Sequence, residues 1–141
     1  MYYLIYLSTA VKSITEDDLT AILEKSRLNN LEKQITGLLL YAEGAFIQVL
    51  EGDKKDVTYI FDKIIEDKRH KNVIVLITND IDKRVFPNWQ MGFSVIDQDK
   101  LAELEGYINP KKDNLFNDDV EHPAIIIMKS FVESNRLVVT Y

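Results

Sequence analysis

Cysteine is absent from the 141 residues, so no disulfide, thiol nucleophile or zinc-thiolate site can form, and a reducing cytoplasm is the expected setting. Basic excess is also missing: 17 Lys and Arg stand against 23 Asp and Glu, a formal net charge of −6. A phosphate backbone or an anionic membrane calls for clustered cations, so neither nucleic acid nor a lipid surface is the expected partner. No apolar run approaches the roughly 20 residues that cross a bilayer. The start, Met1-Tyr2-Tyr3-Leu4-Ile5-Tyr6-Leu7-Ser8, lacks the basic region of a signal peptide and reads as a strand. A glycine-rich phosphate loop, a catalytic triad and a metal-ligand cluster are all lacking, which leaves hydrolase or phosphoryl-transfer chemistry without support.

What is present is an ordinary globular make-up, 46% hydrophobic and 28% charged, long enough for one domain with its own core. The chain is organised around residues 35–52, where two apolar runs flank Ala42-Glu43-Gly44-Ala45. A connection of that length containing glycine predicts a hairpin. In the second run, Phe46, Gln48 and Leu50 alternate with Ile47 and Val49, so both faces are mostly apolar and the strand is expected to be central in its sheet. A glutamine amide there must find partners, because an unmet buried polar group costs about 1–3 kcal/mol.

Residues 2–8 read as a first strand. Ser13-Ile14-Thr15-Glu16 offers a capping box for a helix over about 15–28, on which Leu19, Ile22, Leu23 and Ser26 make a narrow stripe and which Asn29-Asn30 ends. After the hairpin, Gly52-Asp53 opens a second helix with Val57, Ile60, Phe61, Ile64 and Ile65 on one side, ending near Asp67. A basic turn at 68–72, an apolar strand at 73–78, a polar connection at 79–86 and a last strand within 87–95 follow. The order β-α-β-β-α-β-β predicts an α+β, ferredoxin-like arrangement with an extra strand and two helices on one sheet face. Residues 1–96 form the expected domain. Residues 97–141 read as a mostly helical extension for packing, oligomerisation or output, with a short helix at 100–108, a polar stretch at 109–122 and a packed apolar segment at 123–132.

These residues closely resemble the BLUF family, blue-light sensors that use FAD. The resemblance is carried by Ile5-Tyr6-Leu7-Ser8, Asn29-Asn30, Ile35-Thr36-Gly37-Leu38-Leu39, Phe46-Ile47-Gln48-Val49-Leu50-Glu51-Gly52, Asp67-Lys68-Arg69-His70 and Trp89-Gln90-Met91-Gly92-Phe93, in order over about residues 2–95. It implies that Tyr6 hydrogen-bonds Gln48 and gives an electron and a proton toward the excited flavin, and that Gln48 stands between Tyr6 and the flavin N5/O4 edge. Asn30, with Asn29 beside it, is implied to fix the carbonyl and imide edge of the ring. Ile22 and Ile64 flank the ring, and Asp67, Arg69 and His70 match the segment near the ribityl and phosphate end. Trp89 and Met91 match the pair whose positions relative to the glutamine change on illumination. The implied output is a reversible, red-shifted state passed to a separate protein partner or through a homo-oligomer. The chemistry fits, since an amide that rotates or tautomerises exchanges donor for acceptor, and a phenol of pKa about 10 keeps its proton until an electron leaves.

Two positions depart from the family pattern. Gln34 stands where a glycine often precedes Ile-Thr-Gly, implying a different turn geometry, and Gln90 stands where a small residue is frequent, bringing a second amide near Gln48. Local pattern alone makes Asn29-Asn30 a helix cap, Tyr6 a half-buried strand residue and Arg69-His70 a solvated turn. The competing function is a light-independent ferredoxin-like module that binds a ligand or a protein; such a scaffold has no need of Tyr6, Gln48 and Asn30 together.

Overall fold

In the computed structural model, residues 1–11, 15–42, 44–86, 90–95 and 122–134 are described. They form β1 (Tyr2–Ala10), α1 (Glu16–Glu32), β2 (Thr36–Ala42), β3 (Ala45–Gly52), α2 (Lys54–Glu66), β4 (His70–Asp80), β5 (Gln90–Val95) and α3 (Pro123–Ser134). The sheet has five strands in the order β4-β1-β3-β2-β5. β1 runs antiparallel to β3 and β4, β2 antiparallel to β3, and β5 parallel to β2. This is the α+β order expected from the hydrophobic pattern, with β3 in the middle of the sheet.

The core has two halves because the central strands are apolar on both faces. Leu4, Tyr6, Leu39, Phe46 and Leu50 face α2, with Val57 and Ile60 supplied by the helix. Tyr3, Ile5, Leu38, Leu40, Ile47 and Val49 face the other way, onto Ala124, Ile125 and Met128 of α3. The apolar segment expected to pack as helix or strand is thus a helix, and it covers the sheet face opposite α2.

Three boundaries differ from the sequence expectation. The cap of α1 is two residues later than Ser13: the Thr15 hydroxyl accepts the Asp18 N–H at 3.1 Å while the Asp18 carboxylate accepts the Thr15 N–H at 3.2 Å, a reciprocal pair that defines the first turn. Asn29-Asn30 does not end the helix, which runs on to Glu32 with Lys33 as its last capping residue. His70-Lys71-Asn72 is the start of β4 rather than part of a turn, because its backbone pairs with Thr9 and Ala10 of β1. The expected helix at 100–108, the polar stretch through 121 and Ser13 lie outside the described residues, as do the side chains of Leu19 and Leu23.

Candidate functional site

The β1–β3 register sets Tyr6 directly opposite Gln48, and the pleat turns both toward the helix-covered face. There the Tyr6 hydroxyl donates to Gln48 Oε1 at 2.5 Å. Both residues are at most 3% exposed. Burial, with the Asp67 carboxylate adding a smaller push, raises the Tyr6 phenol above its ordinary value, so the hydroxyl holds its proton firmly. Phe61 and His70 pack at ring distances of 5.6 and 6.2 Å from Tyr6. The Gln48 amide thus turns its oxygen to Tyr6 and its nitrogen the other way.

Above this pair the two helices stand apart over a cleft of about 640 Å³, open solvent at its mouth included. α1 lines it with Ile22, Lys25, Ser26, Asn29 and Asn30, and α2 with Ile60, Lys63 and Ile64. Among the α1 residues that line the cleft, Ile22 is the apolar one and Lys25, Ser26, Asn29 and Asn30 are polar. Leu28 and Leu31 point to solvent instead. The last two turns of α1 thus present polar side chains to the cleft.

Asn30 makes the point sharply. It is 1% exposed, and among the described residues neither its Nδ2 nor its Oδ1 has a hydrogen-bond partner. Leaving a buried donor and acceptor unmet costs about 1–3 kcal/mol each, so the position fits a planar ligand edge carrying an acceptor beside a donor. An imide of the isoalloxazine type is such an edge.

The end of the cleft past α2 is a hydrogen-bonded clasp. Asp67 accepts from the Arg69 Nε and Nη2 at 2.9 and 2.6 Å and from its backbone N–H at 2.9 Å. Those bonds hold the Asp67 carboxyl below its ordinary value, against an opposing effect of partial burial, and raise Arg69. The Ile64 carbonyl can only accept, so His70 Nε2 carries a proton toward it at 2.6 Å, and in the neutral ring Nδ1 accepts from the Ser8 hydroxyl at 2.8 Å. His70 thereby ties the last turn of α2 to β1.

The cleft brings together Tyr6, Gln48, Asn29 and Asn30, the flanking Ile22 and Ile64, and the Asp67, Arg69 and His70 segment. Sequence reasoning missed its rim lysines, Lys25 and Lys63, which fall three residues after Ile22 and Ile60. Trp89 lies outside the described residues. Met91 is on β5, but its side chain and that of Gln90 are not among those described.

The family model for BLUF, "Sensors of blue-light using FAD", matches residues 1–92. The chain belongs to the BLUF family. Photoactivated adenylate cyclase subunit alpha of Euglena gracilis is 41% identical over 83 residues, which are 59% of this chain and 8% of that protein. Subunit beta of Euglena longa is 37% identical over 84 residues, 60% of this chain and 10% of that protein. The BLUF chain thus spans a tenth or less of those relatives' length. Among solved structures, BlrB, a BLUF protein in its dark state, superposes with a TM-score of 0.67 at 27% identity, covering 94% of this chain and 96% of that one. BlrP1 of Klebsiella pneumoniae gives 0.75 at 28% identity, covering 94% of this chain and 33% of that one. Among the described residues no helix is long and apolar enough to cross a membrane.

Proposed function

We propose that this chain is a cytoplasmic blue-light photoreceptor that holds FAD between α1 and α2 and signals through the Tyr6–Gln48 pair. The reading is carried by one observation: a buried phenol hydrogen-bonded to a buried glutamine, in the same cleft as an asparagine whose polar atoms await a ligand. A light-independent ferredoxin-like module needs neither. Asn30, with Asn29, Gln48, Ile22 and Ile64, would hold the ring; Lys25, Lys63, Arg69 and His70 would face the ribityl and phosphate end. FAD, when bound, supplies the absorption of blue light and an electron-accepting ring.

The remaining work falls to the protein. Tyr6 keeps its proton on the line to Gln48 Oε1. Loss of an electron from the phenol to the bound ring would release that proton along the bond, the Gln48 amide would rotate or tautomerise and so exchange the group it presents to the ligand edge, and return of the electron and a proton would restore the Tyr6 phenol. The changed amide shifts the balance between two conformations. Trp89 and Met91 report it, and residues 97–141 pass it to a separate protein or to a second copy. The chain itself is a sensor module and not an enzyme.

The test is an absorption spectrum before and after blue light with a return scan in the dark. A flavin spectrum that moves to the red and relaxes supports the proposal. A colourless protein, or a yellow one without a shift, favours the light-independent module.

A further inference from the structure

Glu51 lies on β3 three residues past Gln48 and, by strand alternation, on the opposite sheet face. It is 0% exposed and takes no part in the cleft. Its Oε1 accepts from the Thr36 hydroxyl at 2.9 Å and from the Phe86 N–H at 2.6 Å; its Oε2 accepts from the Val85 N–H at 2.8 Å. Arg84 closes the knot. Its Nη1 donates to the Thr36 hydroxyl and the Glu51 carbonyl at 2.8 and 2.9 Å, and its Nη2 donates to the Gln34 carbonyl at 2.7 Å. Close packing continues next door, where a Cβ on Gly52 would come within 2.8 Å of Ile35 Cδ1 and 3.3 Å of the Gln34 oxygen.

A carboxylate is the only side chain of this length that serves here. It accepts on both oxygens, whereas a glutamine would set its NH2 against either the Val85 N–H or the Phe86 N–H. The two amides it holds belong to the segment that follows β4 and leads toward β5, and Phe86 sits in the same core cluster as Ala124, Ile125 and Met128 of α3. β5 is also joined to Gln48 by the ladder, since Leu39 pairs with Gln48 on one side and with Phe93 on the other. One strand, β3, therefore carries the photoactive amide on one face and the anchor of the β5 segment on the other.

We infer that Glu51 is a positioning residue for the light response, fixing the approach to β5 against β3 so that a change at Gln48 reaches β5 and the α3 face. The inference rests on the light-sensor reading. It is tested on the FAD-loaded full chain with Glu51→Gln, and with Thr36→Val, which removes one donor to the carboxylate, should Glu51→Gln fail to fold. The variant is expected to keep FAD, the dark spectrum and the size of the red shift. Its dark recovery is expected to change about tenfold or more, the readout of a changed barrier, and the light-minus-dark change in Trp89 fluorescence is lost. Amide exchange at Val85 and Phe86 in the dark checks that the knot has been loosened. Faster exchange there, with recovery and Trp89 signal within about twofold of the wild type, overturns the inference and leaves Glu51 a loop staple. A wild type with no red shift overturns the light-sensor reading and this inference together, an outcome distinct from failure of Glu51 alone.

Discussion

At the residue scale, the Tyr6–Gln48 bond and the unpartnered Asn30 lead to separable expectations. Tyr6→Phe removes one hydroxyl from a packed ring, so FAD should remain bound while the light-induced shift disappears; spectra of the illuminated variant decide this, and a normal shift takes Tyr6 out of the mechanism. Asn30→Leu exchanges two unmet polar atoms for a side chain of similar volume. The flavin-free protein should gain about 1–3 kcal/mol in urea unfolding, and FAD occupancy should fall. Unchanged occupancy would make Asn30 a structural residue only. The two shifted groups also set opposite pH limits. Tyr6, raised by burial, contributes stability that is complete below its unfolded value of about 10 and is lost as pH rises further. Asp67, lowered chiefly by its bonds to Arg69, contributes stability present above about pH 4 and lost as pH falls through its folded value. Denaturant midpoints measured from pH 8 to 11 should drop more steeply in the wild type than in Tyr6→Phe, and equal slopes would deny the alkaline limit to Tyr6. Tyr6, Gln48 and Asn30 were legible through the family resemblance, since the hairpin fixes the β2–β3 register and not the β1–β3 register that sets Tyr6 against Gln48. Glu51 and Arg84 were not, because their partners lie 34 and 48 residues away in chain positions that carry no pattern.

At the element scale, α1 departs most from its sequence reading. Its cap was placed two residues early and its end about one turn early, because Ser13 and Thr15 both satisfy the cap preference and asparagine at position 30 resembles a stop signal. The helix instead runs through both asparagines to Glu32, which places Asn29 and Asn30 inside its last two turns, where they line the cleft. The chain then turns at Gln34, whose φ of 54° lies in the left-handed region. A residue with a side chain adopts this conformation at a cost of about 1–2 kcal/mol. Gln34→Gly should raise stability by about 1 kcal/mol, the relieved strain less the extra freedom of the unfolded glycine. The Gln34 carbonyl keeps its bond from Arg84 in this variant, so a loss of stability would show that the Gln34 side chain contributes contacts of its own. α2 was the easiest element to read, as its inner residues Val57 and Ile60 are buried and Ile64 lines the cleft; only Ile65, 51% exposed, left the expected stripe.

At the scale of the whole molecule, the sheet is a partition with the cleft on one face and α3 on the other. The sequence gives 97–141 the look of an extension, yet Ala124, Ile125 and Met128 are at most 4% exposed and share a core with β1, β2 and β3. Burying an Ile or Met side chain contributes about 1.5–3 kcal/mol, so Ile125 and Met128 together account for about 3–6 kcal/mol, against a total of about 5–15 for an ordinary domain. At the start of α3, His122 Nδ1 accepts the Ala124 N–H at 3.1 Å and the His122 ring packs 5.5 Å from Tyr3, so the helix entry is fastened to β1. Met128→Ala should therefore cost about 2–5 kcal/mol, and deletion of residues 122–141 more, with the bared sheet face driving aggregation. The cleft lies on the far face, so whatever fraction of Met128→Ala remains folded should bind FAD and respond to light as the wild type does. Unfolding midpoints and light-minus-dark spectra of the same sample separate the outcomes. A truncated chain as stable as the full one would make α3 a detachable output arm, and a photocycle altered by Met128→Ala without loss of stability would place α3 within the signalling path itself.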